Sequence, residues 1–561
     1  MSDIALILSK TDIVLSAFLA MAFTAAPYYI RLGFCMLNLE FVVTSVSLFS
    51  AFLICNIGLR LILVGYFTTF QKQYRHLVLF EKLKNFLDDK NALYKVALII
   101  FLFWLPVLIA LYPGTLINDT WGQLQQFILW SEADGNTKGF LNDHHPVFAT
   151  FFIGVLIVPV AKLTGNWHLS IFIYVILQAC LTCLTFSYSV VYLRKKLRLD
   201  EICTAFILLL YCIIPIYATS VQTVSKDALF SWIYVLFFVS FIDIVKTNGD
   251  VLDNKKLFYC IIITSIFCAL TKKVGMYIIV FSFASLLLFH LNNRRKIVFV
   301  MLTVVVLMAG IIPIARRTAG IAAGGVQEMF SIPFQQTARY VKLHPQDITS
   351  LEKIAINKVL EFDSLAKKYN PLNADPVKQY HQRGRTIEYI KYLNVWASQL
   401  LRHPLTYLDA LNAMLSGWFS FSEFDPQMDM RWHSQLDKSI IPGWVPFRTG
   451  FANITANVIQ NAYHNLYHTP LWAVVLSYGF YAALLPAFVL STTLRTWSEI
   501  HTNKYFLVTV PMILSLVLGC WLAPLSIHFE GRRYLYPLTY TMPVLLAWCM
   551  YIYQRELSEK S

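Results

Sequence analysis

The chain has 561 residues, of which 57% are hydrophobic and 14% are charged, and its mean hydropathy is +0.57. A soluble domain carries about 25% charged residues, so this composition excludes a soluble enzyme or binding module and indicates an integral membrane protein. The net charge is +14. Part of that charge belongs to the basic loops that orient a membrane protein, so it does not indicate nucleic-acid binding. We expect the lipid bilayer as a partner and no nucleic acid.

Apolar runs that approach the length of a membrane span, about 17–25 residues, recur along the chain. They lie at 12–34, 39–66, 94–112, 168–192, 203–218, 228–245, 257–271, 274–290, 297–315, 470–492, 504–524 and 535–553. The first run lacks a basic flank and a cleavage site, which predicts a retained helix rather than a signal peptide. A further run, 147–163, is shorter and is expected to re-enter the membrane or lie along its surface. These runs predict an all-α integral membrane protein with about 12–13 spans.

Basic residues predict the orientation of these spans, because loops rich in lysine and arginine stay in the cytoplasm. Such loops lie at 71–95, 194–198, 246–256 and 294–296. The segments 113–146, 219–227, 316–469 and 526–533, and the turn near 272, then share the outer face. We therefore expect a multi-pass membrane protein whose loop 113–146 faces outside. Only one crossing should separate 113–146 from 194–198, yet two apolar runs lie between them.

The outer loop 113–146 carries Asp119, Asp143, His144 and His145. Ionisable side chains at the mouth of a membrane bundle are costly, so they indicate a functional site, here a general base beside a hydrophobic path. Structural roles remain open. Asp119 suits a helix cap, and the other three suit a loop held before a helix that starts at Pro146. They lack the spacing of metal ligands, so we expect no metal and no cofactor.

Pairs of charged residues lie at membrane edges on the expected outer face, where basic residues are normally sparse. They are Lys226 with Asp227, Lys272 with Lys273, Arg316 with Arg317, and Arg532 with Arg533, the last followed by Tyr534. Any one pair is explained by a long side chain reaching the membrane surface. Four pairs on one face instead predict a site for the phosphate of a lipid. Forked guanidinium groups suit a phosphate best, which favours Arg532 or Arg533.

The segment 316–469 is the only long hydrophilic stretch and predicts a mostly helical outer domain between membrane segments 1–315 and 470–561. Its aromatic residues either stack on sugar rings or form a domain core; they are Trp418, Phe419, Trp432, Trp444 and Tyr463. The glycines at 320–325 resemble a flexible hinge. We expect Gln335, Gln336 and Arg339 to bring this domain onto the site.

The order of these motifs resembles a known family. It runs NDTWGQ (118–123), His-His-Pro (144–146), TSVQTVSKD (219–227), TKKVG (271–275) and EGRRYLYPLTYTMP (530–543). It is similar to the GT-C superfamily of polyprenyl-phosphate-sugar-dependent glycosyltransferases, and most similar to uncharacterised Gram-positive members related to protein mannosyltransferases. The likeness covers about 116–290 and 504–550. Protein mannosyltransferases have an Asp-Glu pair where this chain has Asp119 and Thr120.

The resemblance implies a GT-C-like bundle that transfers a sugar from a polyprenyl-phosphate donor to a cell-wall polymer, a lipid-linked glycan or a protein. It also implies a place in the bacterial cytoplasmic membrane, with the active site facing outside. It implies that Asp119 is the general base, with Asp143, His144 and His145 as the other catalytic residues. The donor phosphate would be held by Lys226, Asp227, Lys272, Lys273, Arg532, Arg533 and Tyr534. Two other functions remain open: a flippase of lipid-linked oligosaccharides, which predicts charges at mid-membrane and internal repeats, and an O-antigen-type polymerase or ligase.

Overall fold

The computed structural model describes residues 8–70, 78–133, 140–379, 381–382, 384–421, 430, 448–494, 504–522 and 531–560. The described residues fold almost entirely into helices. The first seven are α1 (Lys10–Leu32), α2 (Leu39–Gly65), α3 (Val78–Asp88), α4 (Ala92–Ala110), α5 (Asn118–Glu132), α6 (Val147–Thr164) and α7 (Trp167–Lys195). The next seven are α8 (Glu201–Ile213), α9 (Pro215–Val221), α10 (Lys226–Lys246), α11 (Lys255–Thr271), α12 (Lys273–Leu287), α13 (Arg294–Val305) and α14 (Ile312–Thr318).

The remaining helices belong to the inserted region and the last membrane segments. They are α15 (Ser331–Leu343), α16 (Ser350–Asn357), α17 (Phe362–Lys368), α18 (Asp375–Lys378), α19 (Thr386–Arg402), α20 (Pro404–Leu415), α21 (Gly450–Tyr467), α22 (Pro470–Val475), α23 (Leu485–Thr493), α24 (Thr509–Leu516) and α25 (Arg532–Lys560). Four two-residue strands form two parallel pairs. They are β1 (Thr115–Leu116) with β3 (Thr223–Val224), and β2 (Asn142–Asp143) with β4 (Ala322–Ala323).

Nine helices among the described residues are long and apolar enough to cross a membrane. They are Lys10–Leu32, Leu39–Phe70, Ala92–Ala110, Val147–Thr164, Trp167–Lys195, Lys226–Lys246, Arg294–Thr318, Lys504–Trp521 and Arg532–Ser558. The bent pair α8–α9 makes a tenth if it is one span. The chain is thus a multi-pass, all-α membrane protein. The count is lower than the 12–13 expected, because some apolar runs form helices, such as α12, that are shorter than the roughly 20 residues of a span.

Helices α4 and α7 run antiparallel, which explains the extra apolar run at 147–163. The Ser187 hydroxyl donates to the Leu93 carbonyl (2.5 Å) at one end, and the rings of Tyr112 and Phe172 lie 5.1 Å apart at the other. Helix α7 therefore begins where α4 ends. Everything between them, α6 included, leaves from and returns to that same end, which we call the Asp119 end. Helix α6 adds no net crossing, as the charge pattern required.

The main hydrophobic core joins α7, α8, α9 and α25 through a group of aromatic rings. Phe186 and Tyr211 stack with centroids 4.0 Å apart, and Tyr217 packs edge-on to Phe186. The Trp104 indole donates to the Tyr211 carbonyl (2.9 Å), which adds α4 to this group. Stacked, hydrogen-bonded rings fix the spacing of these helices. They therefore provide a rigid base for the loops at the Asp119 end.

The inserted region has a hydrophobic core of its own. Its buried members include Phe334, Ile356, Leu365 and Tyr392. The aromatic residues considered for sugar stacking lie elsewhere, since Trp418, Phe419 and Tyr463 pack into the main core of the bundle. They are buried core residues of the membrane bundle rather than of a small outer domain. Trp432 and Trp444 lie outside the described residues.

Candidate functional site

The loop after α4 is pinned beside the loop before α10 by the β1–β3 pair. The Thr115 amide donates to the Gln222 carbonyl (3.1 Å). Gly114 has a φ of +115°, and a Cβ there would lie 2.6 Å from Val175 Cγ2, so this position requires glycine. The Thr120 hydroxyl then donates to the Val224 carbonyl (2.5 Å). These contacts bring the first turn of α5 against the first turn of α10.

Two buried side chains that the motifs did not reveal hold the same loops. Arg448 donates to the carbonyls of Tyr112 (3.1 Å) and Leu111 (3.1 Å). Burial lowers the pKa of the Arg448 guanidinium to about 10. Gln178 in α7 donates to the carbonyls of Val221 (2.6 Å) and Thr223 (3.0 Å). Such donors to backbone carbonyls follow no sequence pattern, so the sequence carries no signal for either residue.

Asp119 does not cap its helix. Helix α5 has no side-chain cap at Ile117, and the Asp119 carboxylate instead accepts from the ammonium of Lys226 (2.5 Å) and the guanidinium of Arg533. The Lys226 ammonium also lies 3.0 Å from His145 Nδ1, and His145 Nε2 lies 3.9 Å from the Asp119 carboxylate. Because an ammonium only donates, Nδ1 accepts and the ring proton belongs on Nε2.

Charge and burial set the protonation of these groups. Burial raises the pKa of the Asp119 carboxyl, but Arg533 and Lys226 outweigh it and hold that pKa well below its usual range. Burial, followed by the charge of Lys226, lowers the pKa of the His145 imidazole to about 3. At neutral pH the site therefore holds an ionised carboxylate beside a neutral imidazole.

A second carboxylate lies directly behind the first. Asp227 is fully buried, pairs with Lys272 at 2.7 Å and lies 3.6 Å from Arg533. The ring of Tyr534 contacts both cations, with centroid distances of 5.0 Å to Lys272 and 4.9 Å to Arg533. We call Asp119, His145, Lys226, Asp227, Lys272 and Arg533 the Asp119 cluster. A chain without the Asp-Glu pair thus places two carboxylates together through separate loops.

Asp143 belongs to a neighbouring group. It pairs with Arg316 at 3.0 Å and with Lys273 at 3.5 Å, and the Lys273 ammonium also donates to the Asp143 carbonyl. The β2–β4 pair places Gly324 against this loop, where a Cβ would lie 2.5 Å from the Asp143 carbonyl oxygen. Gly324 is therefore packed closely against the Asp143 loop, beside the β2–β4 pair, where the sequence suggested a flexible hinge. We call Asp143, Lys273 and Arg316 the Asp143 cluster.

An apolar groove of about 660 Å³ opens at the Asp143 cluster. Its walls come from α5, α6, α11, α12 and α14, and they include Trp130, Phe148, Met276, Tyr277 and Ile312. Asp143, Lys273 and Arg316 are the charged members of this lining. The two clusters are joined by the chain itself, through Lys272–Lys273 and Asp143–His145. The result is a hydrophobic groove with a charged mouth next to a carboxylate held by cations.

Two other expected site residues make no ion pair with the carboxylates of these clusters among the contacts of the described residues. His144 is exposed, and only its ring edge meets His145, at 4.5 Å between centroids. Arg532 points into the core, where it donates to the Tyr463 hydroxyl (2.5 Å) and the Leu476 carbonyl (3.1 Å). Neighbouring residues on a helix point about 100° apart, so Arg532 and Arg533 face different surroundings.

The residues expected to bring the inserted region onto the site make different contacts. Gln335 donates to the Asn370 carbonyl (2.7 Å), and Gln336 donates to the Tyr407 carbonyl (3.2 Å), both within that region. Arg339 donates to the carbonyl of Gly33, between α1 and α2 (2.8 Å). These side chains therefore fasten the inserted region internally and to the first two helices, and the expectation for them was wrong.

Within the described residues, one group has ligand atoms close enough for a metal: His344, Asp347 and His403, whose ligand atoms lie within 4.8 Å of one another. The two imidazole rings stack 3.8 Å apart at 19°. Imidazole binds a metal in the plane of its ring, at about 2.0–2.1 Å. Nearly parallel rings at this spacing do not share such a point, so this arrangement does not bind a metal as it stands.

Comparison with known proteins gives a family but no activity. No curated protein matches the sequence. The match to the family described as "Family of unknown function (DUF6020)" covers residues 76–561, which include the Asp119 cluster, the Asp143 cluster and the groove. The chain belongs to this family.

Proposed function

We propose that the chain is a membrane glycosyltransferase of GT-C type, which moves a sugar from a polyprenyl-phosphate donor to an acceptor hydroxyl. The observation that carries the proposal is the apolar groove that ends at Lys273 and Arg316. Lys273 directly follows Lys272, which belongs to the Asp119 cluster through its ion pair with Asp227. A prenyl chain needs an apolar groove, a phosphate needs cations, and the acceptor needs a base. All three lie together.

The donor enters with its chain in the groove and its phosphate at the mouth. Lys273 and Arg316 share a single carboxylate, Asp143, so this cluster holds two cations for one anion. A phosphate restores the balance and gives the Arg316 fork two oxygens to bind. The Lys273 side chain is half exposed, which leaves its ammonium accessible to a headgroup. The sugar then points toward His145 and Asp119.

In the transfer step, the acceptor hydroxyl gives its proton to Asp119 while its oxygen attacks the anomeric carbon. The bond from that carbon to the phosphate oxygen breaks, and its electron pair leaves with the polyprenyl phosphate. Asp119 is a weak base while Lys226 and Arg533 hold it. The negative charge that grows on the leaving phosphate draws these cations away, so the carboxylate becomes more basic as the reaction proceeds.

The positions of the basic loops support an outward-facing site. The turn 194–198 meets α10 where Lys246 donates to the Lys196 carbonyl. The Asn292 amide donates to the Asn248 carbonyl (2.8 Å), which adds the basic start of α13 to the same end. This end, which we call the Arg198 end, lies opposite the Asp119 end. Lysine- and arginine-rich loops tend to remain in the cytoplasm, which supports a site around Asp119 that faces outside.

The test is a transfer assay with the purified full chain in lipid nanodiscs, using labelled polyprenyl-phosphate sugars and a panel of acceptors. We expect turnover with at least one donor, and we expect Asp119→Asn to lower it at least about 100-fold, the usual contribution of a general base. Asp253→Asn, an exposed carboxylate at the Arg198 end, is the matched control. Unchanged transfer by the Asp119→Asn variant would show that Asp119 is not the general base.

The same preparations separate the alternative functions. A flippase moves lipid-linked oligosaccharide between leaflets without breaking the sugar–phosphate bond, and a polymerase or ligase uses only pyrophosphate-linked oligosaccharide. Movement of intact lipid, or turnover only with a pyrophosphate-linked donor, would replace the proposed reaction with the corresponding alternative.

A further inference from the structure

A concave pocket of about 630 Å³ lies at the Arg198 end, on the opposite side of the bundle from the groove. Nine described residues line it: Lys195, Lys196, Leu197, Arg198, Lys246, Tyr551, Gln554, Arg555 and Ser558. Five of these nine are cations and none is a carboxylate. They come from the ends of three helices, α7, α10 and α25. We call this feature the Arg198 pocket.

The backbone fixes the shape of this pocket. Arg198 has a φ of +56°, a left-handed conformation that side chains rarely adopt. The Gln554 amide donates to the Arg198 carbonyl (3.0 Å), and the Lys246 ammonium donates to the Lys196 carbonyl. The turn after α7 is thus fastened to both neighbouring helices. Its cations are brought together by a built structure rather than by a loose loop.

Among the described carboxylates near the pocket, Asp243 of α10 interacts electrostatically with Lys196 and Lys246. It also accepts from the Tyr192 hydroxyl (3.3 Å). Other carboxylates have partners outside the lining. Arg194, just outside the pocket, pairs with Asp88 (2.8 Å) and with Glu201 (3.1 Å). Asp200 caps α8 by accepting from the Ile202 amide (2.9 Å). Like charges repel one another, so five cations that line one pocket favour an anion that fills it.

We propose that the Arg198 pocket binds a phosphate-bearing anion at the membrane surface. Its position favours a phospholipid headgroup, because α7, α10 and α25 are membrane-spanning helices and the pocket lies where they end. Tyr551 lines its wall and stacks on Trp548 at 5.3 Å, as aromatic side chains do at headgroup level. Basic pockets between helix ends on the cytoplasmic side are typical sites for anionic lipid headgroups. The proposal does not depend on the proposed function.

The test is lipid binding by the purified full chain in detergent, measured by native mass spectrometry with equal amounts of phosphatidylcholine and phosphatidylglycerol. The pocket variant is Lys196→Gln/Arg198→Asn/Lys246→Gln, with asparagine chosen because it tolerates the left-handed backbone. The control is Lys255→Gln/Lys256→Gln/Arg295→Gln, which removes three exposed cations at the same end outside the pocket. The single variant Lys196→Gln, at an exposed position, guards against misfolding of the triple variant.

We expect the wild type and the control to bind phosphatidylglycerol in preference to phosphatidylcholine. This preference should fall at least about tenfold in the pocket variant and by a smaller factor in Lys196→Gln. A second arm titrates inorganic pyrophosphate into phosphatidylcholine nanodiscs. Binding there without any lipid preference, again lost in the pocket variant, assigns the pocket to a soluble phosphate compound. The proposal is overturned if neither probe binds, or if the pocket variants and the control variant lose binding equally.

Discussion

At the Asp119 end, Lys226, Lys272 and Arg533 each lie against a carboxylate, whereas at the Arg198 end Lys196, Arg198 and Lys246 line one pocket together. The side chains of Lys226 and Arg533 are only 13% and 9% exposed. Those of Lys196 and Arg198 are exposed to solvent. Buried charges are costly without partners, while exposed charges are screened by water and salt.

This difference separates two uses of positive charge in one membrane protein. The buried cations at the Asp119 end are held in ion pairs with Asp119 and Asp227. The exposed cations at the Arg198 end lie in the kind of basic loop that favours the cytoplasmic side, and they line one pocket together. Substitutions at one end can be compared with control substitutions at the other end or at a neighbouring position.

The largest expected effect is on stability, from Asp227→Asn. This change leaves Lys272 and Arg533 buried without one of their carboxylates, so we expect a loss of about 3–5 kcal/mol. Thermal unfolding of the purified protein measures it. Asp253→Asn breaks an exposed ion pair at the opposite end and should leave unfolding unchanged. An equal loss of stability in both variants would contradict the distinction between buried, paired cations and exposed ones.

The next effect tests the loop that carries Asp119. Gly114→Ala forces a side chain into a left-handed backbone and against the Gln222 carbonyl, 2.9 Å away, so we expect a loss of about 1–3 kcal/mol. Gly122→Ala, in helix α5, meets no atom within 4 Å and should stabilise the protein slightly. Unfolding curves that move in the same direction for both variants would show that the loop is not constrained as described.

A smaller effect is expected on donor use, which depends on the proposed function. Removing one charge-assisted contact at the groove mouth, in Lys273→Ala or Arg316→Ala, should raise KM for the lipid donor about tenfold. Initial rates at varied donor concentration measure this change. Arg317→Ala is the matched control, since Arg317 is exposed and does not line the groove. An equal rise for Arg317→Ala would point to general surface charge.

The free energy of unfolding should also depend on pH. The pKa of His145 is about 3 in the folded chain, against about 6.5 for an exposed imidazole, so the unfolded chain binds the proton first as pH falls. Stability should therefore rise with pH between about 3 and 6.5 and then level off. The His145→Gln variant should show a flatter slope of melting temperature over pH 4–6.5, whereas His290→Gln, an exposed control, should keep the wild-type slope.

Of the charged residues that the sequence put on the expected outer face, Asp119, Lys226, Asp227, Lys272 and Arg533 meet in the Asp119 cluster. The basic loops predicted that Asp119, Lys226 and Arg533 share one face. In the structure Lys226 and Arg533, from distant segments, both form ion pairs with Asp119. The same reasoning did not separate Arg532 from Arg533, because only the rotation of α25 decides which of them reaches Asp119. It also missed Asp227 as a second carboxylate beside Asp119, since the pairing comes from two loops rather than from adjacent residues.

The membrane class followed from composition, but the number of spans did not. Hydropathy counts apolar residues and does not detect where a helix ends, as at the bend between α8 and α9. Arg448 and Gln178 were missed for a related reason. Both donate to backbone carbonyls, and every residue has a carbonyl, so no sequence motif identifies such a contact. Their roles depend on tertiary contacts that only the folded chain shows.

The central claim, that the groove and the Asp119 cluster form one donor site, is tested most directly by photo-crosslinking. A polyprenyl phosphate with a photoreactive group on its chain is added to the purified protein, and labelled peptides are mapped by mass spectrometry. We expect labelling at groove residues such as Met276, Tyr277 and Ile312, with labelling reduced in Arg316→Ala but not in Arg317→Ala. Labelling confined to α1 and α2, or unchanged by Arg316→Ala, would contradict it.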